Sequence, residues 1–236
     1  MRSDNVRIVS FSGIDGAGKS TQIEELLRSL QNAGYRTKLY TFWDDVVALS
    51  RFRESLSLRV FKGDAGVGSP DRPIARRDKN VTSWHMTLGR LLFYLLDACS
   101  LRFLLWTSAR GRAHLTIFDR YIYDELANLP LQNPFIRWYV RALLFIVPKP
   151  KCAFVLDADP EIASHRKPEY PLEFVRYNRS AYLRLGQMAG LKIVPTGSIE
   201  KTSETIKDDV FANCLGWYVN SPSALPVSLG IGETRC

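Results

Sequence analysis

A three-layer α/β/α fold around a five-stranded parallel sheet is what the sequence predicts, on three observations. Short β-branched, apolar runs alternate along the chain with longer segments of helical periodicity. Five such runs are separated by segments long enough for crossover helices. A glycine-rich octet joins the first run to the first helical segment. No internal repeat or low-complexity block competes with this reading.

The first strand is expected at residues 6–11, where Ile8, Val9 and Phe11 make a buried run. A helix follows at 19–33, because Ile23, Leu26, Leu27 and Leu30 recur at helical spacing and Gly34 stands where such a helix stops. The second strand is expected at 37–42, with helical patterns at 45–60 and 83–109. The stretch 91–106 is very apolar but carries Asp97 and Arg102, which fits a buried helix and not a membrane span. Strands at 115–119, 153–157 and 192–195 alternate with helices at 134–146, 160–166, 171–189 and 202–214. Pro160 sits at the first position of its helix, where the missing amide hydrogen costs nothing.

These elements fit one domain over residues 1–220. Residues 63–80 hold Gly63, Gly66, Gly68, Pro70 and Pro73, then Arg76, Arg77 and Lys79, and are expected as a flexible insertion. The tail 221–236, rich in Ser, Pro and Gly, is expected to fray.

The octet carries the chemistry. Gly13-Ile14-Asp15-Gly16-Ala17-Gly18-Lys19-Ser20 fits G-x-x-x-x-G-K-[ST]. Its glycines let several backbone N–H groups converge on phosphate oxygens, and the following helix N-terminus adds partial positive charge. Lys19 supplies a charge for the β- and γ-phosphates, and the Ser20 hydroxyl can ligate Mg²⁺. A second element is the strand ending in Asp119, followed by Arg120 and Tyr121. Such an Asp can hold a Mg²⁺-bound water or orient a catalytic Arg, and Arg120 can pair bidentately with a second phosphate. A third is the turn after residue 157, where a short helix ends on Arg166 and Lys167, either of which can place positive charge over a migrating phosphoryl group. His85, His114 and His165 show no triad or metal spacing and read as surface or packing residues.

Composition bounds the partners. Of 236 residues 46% are hydrophobic and 24% charged, and the formal charge is +8. That charge suits an anionic ligand, nucleic acid or an acidic membrane surface alike. Arg76, Arg77 and Lys79 form a short loop cluster without interleaved aromatics, so nucleic acid is not expected, nor is membrane attachment. Cys99, Cys152, Cys214 and Cys236 make no C-x-x-C pair and read as reduced thiols. With no signal-peptide pattern at the N-terminus, a cytoplasmic location is expected.

With these residues in place, the chain resembles the thymidylate kinase family of P-loop nucleoside monophosphate kinases. The segment from Phe11 through the octet to Thr21 and Gln22 is similar to that family's opening, including the Asp inside the loop. Leu91-Leu92-Phe93-Tyr94 resembles its helix with a thymine-stacking Phe, Asp119-Arg120-Tyr121 matches its D-R-[YFH] signature, and 194–198 resembles its adenine-bordering loop. The resemblance covers roughly residues 6–211. It implies the P-loop NTPase fold with strand order 2-3-1-4-5, a possible homodimer, and phosphoryl transfer from ATP with Mg²⁺ to a nucleoside monophosphate, dTMP first among them. By the same resemblance, Gly13 to Thr21 with Thr196 and Gly197 would bind ATP, and Ser20 and Asp119 the metal. Lys19, Asp119, Arg120 and Arg166 would be catalytic. Asp15, Phe93, Asp97, Arg120 and Asp124 would line the acceptor.

The departures lie on the acceptor side. The family follows its second strand with R-E-P-G-G-T, where this chain has Thr41-Phe42-Trp43-Asp44-Asp45. Asp97 stands where the family often has an Arg that bonds the thymine ring, and Asp124-Glu125 where it has small polar residues. An acid in place of a cation reverses the hydrogen-bonding sense and should weaken dTMP binding. A different small acceptor, such as a sugar, and a nucleotide-sensing domain without catalysis are the alternatives.

Overall fold

Strand β1 (Ile8–Ser12) is buried along its whole length, as the middle of a sheet covered on both faces must be. The computed structural model describes residues 7–46, 84–108 and 114–216. After β1 come α1 (Lys19–Asn32), β2 (Thr37–Thr41), a single π turn (Phe42–Val46), α2 (Trp84–Ser108) and β3 (Leu115–Asp119). Then follow α3 (Ile122–Leu126), α4 (Pro134–Ile146), β4 (Cys152–Asp157), α5 (Pro160–Arg166), α6 (Leu172–Ala189), β5 (Lys192–Pro195) and α7 (Ile199–Leu215). The insertion expected at 63–80, the tail at 221–236 and the expected helix 45–60 beyond Val46 lie outside the described residues.

The five strands form one parallel sheet in the order β2-β3-β1-β4-β5, with helices making the outer two layers. Register decides where the chemistry falls. Phe11 of β1 lies opposite Asp119 of β3 on one side and Phe154 of β4 on the other. β1 and β3 therefore end within one residue of each other, and β4 runs two residues further to Asp157. The octet after β1, Asp119-Arg120 after β3 and the turn after β4 emerge along one edge, where ligands bind in open parallel sheets.

Aromatic packing holds this register. Phe11 and Phe154 meet at 5.4 Å across β1 and β4, and Tyr40 stacks on Phe118 at 5.3 Å across β2 and β3. Burying each side chain of this size stabilises the fold by about 2–3 kcal/mol. Helix ends are tied locally. The Asp159 carboxylate accepts from the amides of Glu161 and Ile162 at the start of α5, and Ser198 accepts from Lys201 at the start of α7, both as N-caps.

Two features depart from the pattern in the sequence. The segment after β2 closes as a π turn, in which the Asp45 carboxylate accepts the Thr41 amide at 2.7 Å. The short helix α3 follows β3 at once, where periodicity is too brief to register. No helix among the described residues is long and apolar enough to cross a membrane. The outer face of α4 is nonetheless apolar, with Phe135, Trp138 and Phe145 exposed in one stripe, Phe145 at 92%.

Candidate functional site: a phosphate loop beside a clamped arginine

The octet forms a loop because its glycines adopt backbone angles other residues avoid. Gly13 has φ 139° and Gly16 has φ 81°. Space is as restrictive as torsion. A Cβ on Gly13 would meet the Leu156 carbonyl at 2.7 Å, and one on Gly16 would run into the Ala163 carbonyl of α5. Gly18 closes the loop as the N-cap of α1 without a side-chain cap, so the first amides of α1 remain available to an anion. Ser20 and Thr21 are exposed in the first turn of α1.

Lys19 folds back under the loop. Its Nζ donates to the carbonyls of Gly13 at 2.8 Å and Ile14 at 2.9 Å. Burial, with repulsion from Arg120, brings its pKa down to about 8, against the attraction of Asp15, Asp124 and Asp119. An ammonium held in a carbonyl cradle beneath unspent amides is arranged to meet negative charge above it.

Arg120 faces the loop from β3. It has φ 67°, a left-handed backbone that costs a non-glycine residue about 1–3 kcal/mol. Its amide donates to the Phe11 carbonyl at 2.9 Å, tying the ends of β3 and β1. One guanidinium arm donates to Asp15 in the loop, and the other donates to Asp124 Oδ1 at 3.3 Å. Burial raises the Asp15 carboxyl, but Arg120, Lys19 and Lys167 together leave it below its ordinary value. Asp119, one residue before Arg120, moves the other way: burial raises it against the attraction of Arg120 and Lys19, and Asp124 and Asp15 add smaller repulsions.

Asp124 is a buried junction. Its side chain is only 1% exposed. Oδ2 accepts from Ser12 Oγ at 2.6 Å and from the Tyr121 amide at 3.1 Å. Oδ1 accepts from the Tyr182 hydroxyl at 2.8 Å and from Arg120. Three elements, β1, α3 and α6, thus converge on one carboxylate that holds Arg120. Burial and Asp124 push the Tyr182 hydroxyl well above its usual range, so it stays a donor.

The cation nearest the loop on the β4 side is Lys167, with Nζ 4.0 Å from Asp15 and 3.1 Å from Glu169. Arg166, at the end of α5, is exposed. Thr196 sits at the end of β5, where its amide and hydroxyl both donate to the Asp157 carbonyl, at 2.9 Å and 3.3 Å. Gly197 beside it is exposed. Gln22 of α1 donates to the Ile199 carbonyl at 3.2 Å, which joins the helix after the loop to the start of α7.

On α2, Phe93 is half-buried and Asp97 fully buried, and α2 packs against α3. Burial raises the Tyr139 hydroxyl, and the charges of Asp97 and Glu125 add to that shift, which puts both acids in its neighbourhood. Among the described residues no cluster of three or more histidine, cysteine or acidic side chains forms a metal cage. A divalent ion carried in on nucleotide phosphates needs few protein ligands. The Ser20 hydroxyl, in the first turn of α1, and the Asp119 carboxylate, at the end of β3, are oxygen donors of the right type.

Ser12, Tyr182 and Glu169 escaped the sequence reading. Ser12 lies 112 residues from Asp124 and Tyr182 lies 58 from it, so no local spacing could pair them. A polar end on an otherwise buried helix position was the one available signal at Tyr182. The parallel sheet and the lysine-bearing loop are those of the P-loop NTPase superfamily in general, and neither a family model nor a curated protein matches the chain.

Proposed function

We propose that the protein is a phosphotransferase that takes the γ-phosphoryl group of ATP and passes it to a small molecule bound on the Arg120 side of the loop. The carrying observation is Lys19, whose Nζ is cradled at 2.8 and 2.9 Å by loop carbonyls below a capless helix start. In this reading the amides of residues 13–21 hold the triphosphate and Lys19 moves from its carbonyls to the β- and γ-oxygens. Thr196 and Gly197 border the base. Ser20 and Asp119 would hold Mg²⁺, which when bound shields the phosphate oxygens and draws charge from the leaving group. Arg120 orients the acceptor, and Arg166 or Lys167 closes over the transferring group from α5.

The resemblance supports a nucleoside monophosphate, dTMP first, as the acceptor, with Phe93 stacking on its base and Asp15, Asp97 and Asp124 around it. A different small acceptor is the second reading. The engagement of Arg120 by two carboxylates favours it.

Calorimetry with Mg²⁺ and ATP, followed by ADP release with candidate acceptors, tests the proposal. Uptake of ATP lost in Lys19→Ala, and acceptor-dependent ADP formation, are expected. No uptake of any purine triphosphate would remove the reading. Uptake without transfer to any acceptor would leave a nucleotide-sensing domain in its place.

A further inference from the structure

We infer that Asp124 and Asp15 together spend the charge of Arg120, so that the acceptor end of the site receives an uncharged hydroxyl group, as on a sugar, polyol or nucleoside, in preference to a phosphate dianion. This rests on the phosphoryl-transfer reading above and narrows its acceptor.

The argument is one of committed charges. A guanidinium that grips a phosphate bidentately must offer two parallel N–H bonds. Arg120 has one arm on Asp15 and the other on Asp124. Asp124 cannot yield, because its side chain is 1% exposed and four donors hold it: Ser12, the Tyr121 amide, Tyr182 and Arg120 itself. Pulling Arg120 away would leave a buried carboxylate without its counter-charge. Asp15 is more exposed than Asp124 and is therefore the carboxylate an incoming acceptor would meet first. A dianion seeking the Arg120 arm there would lie against the Asp15 carboxylate and still face Asp124 behind the guanidinium. Lys167 gives limited relief, since it too is shared between Asp15 and Glu169.

A hydroxyl meets the opposite situation. It donates to Asp15 without displacing anything, and Asp15 is kept in its acceptor form by Arg120, Lys19 and Lys167. In the transfer step the hydroxyl oxygen forms the new bond to the γ-phosphorus. The bond from that phosphorus to the β–γ bridging oxygen breaks, and ADP leaves with its electron pair. The hydroxyl proton passes to Asp15 and from there to water. A loose transition state releases that proton late, so a weak base suffices. Asp124 is then a specificity residue acting through Arg120, at a position where the family resembled has a small polar residue.

The test compares dTMP with its uncharged parent thymidine, as probes differing only in the phosphate. Binding is measured with Mg²⁺ and a non-hydrolysable ATP analogue in the wild type, Asp124→Asn and Asp15→Asn. We expect each variant to bind dTMP at least tenfold more tightly than the wild type does, with no such gain for thymidine, whose hydroxyl loses its carboxylate acceptor in Asp15→Asn. If Asp124→Asn does not fold, the Asp15→Asn comparison alone carries the test. Tight dTMP binding by the wild type, or no gain in either variant, overturns the inference. Analogue binding on the same samples keeps the two readings apart: without it the phosphoryl-transfer reading fails, and with it only the acceptor assignment is at stake.

Discussion

Gly16 of the phosphate loop and Ala163 of α5 meet backbone to backbone, with no room for a methyl group between them. The loop that would hold the donor phosphates and the helix that ends on Arg166 are therefore in direct register. Movement of one is felt by the other without any side chain as intermediary. Gly16→Ala would force a left-handed alanine and a clash at once. We expect it to destabilise the protein by roughly 3 kcal/mol in urea melts and to abolish ATP uptake in calorimetry. Unchanged stability would mean that α5 stands off the loop.

Lys19 gives opposite pH dependences for stability and for binding. Its pKa is brought down to about 8 from an ordinary 10.5, so below pH 8 the folded protein carries an ammonium it disfavours, at a cost of roughly 3 kcal/mol. Between about pH 8 and 10.5 the unfolded chain binds the proton and the folded one releases it. Stability without ligand should rise over that window. ATP affinity should fall over the same window, because the ammonium is what the phosphates need. Lys19→Met should be no less stable than the wild type while losing ATP. Urea midpoints and calorimetry at pH 7, 8 and 9.5 measure both trends.

Arg120→Ala should reduce transfer by roughly a hundredfold or more while ATP affinity changes by less than about fivefold. The guanidinium donates to Asp15 and Asp124, the acceptor side in the proposed reading, and repulsion from it is one cause of the lowered Lys19 pKa. Its removal relieves Lys19 and deprives the acceptor of its guide. Equal loss of ATP binding and turnover would place Arg120 on the donor instead.

Cys152 at the start of β4 and Cys214 near the end of α7 have their sulfurs 3.1 Å apart in the core. The shared hydrogen bond and burial push the Cys152 thiol up, while that hydrogen bond draws Cys214 down. Hydrogen peroxide should convert the two thiols to one disulfide and two water molecules, seen as a loss of two hydrogens by mass. The closed loop spans 62 residues, and chain entropy sets the added stability at about 4 kcal/mol at most. Cys214→Ser should show neither change.

Much of the frame was legible in advance, and the reasons are physical. β3 (Leu115–Asp119), β5 (Lys192–Pro195), α4 (Pro134–Ile146) and α5 (Pro160–Arg166) fall at the residues that their patterns marked. Buried parallel strands read as continuous apolar runs, and Asn133, Pro134, Asp159 and Pro160 punctuate helix starts. β4 begins one residue early at Cys152, and α7 three residues early at Ile199, where Ser198 caps it. The environment of Asp124 was not legible. The resemblance implied a place for it beside the acceptor, but two of its donors come from β1 and α6, and only the folded sheet brings those together.

The exposed stripe of Phe135, Trp138 and Phe145 on α4 is an apolar surface on which added salt should favour self-association. With a formal charge of +8, like copies repel at low ionic strength, and that repulsion fades beyond a Debye length of about 8 Å at physiological salt. Sedimentation should therefore find larger particles in 0.5 M sodium chloride than in 20 mM, and Phe145→Glu should keep them apart in both.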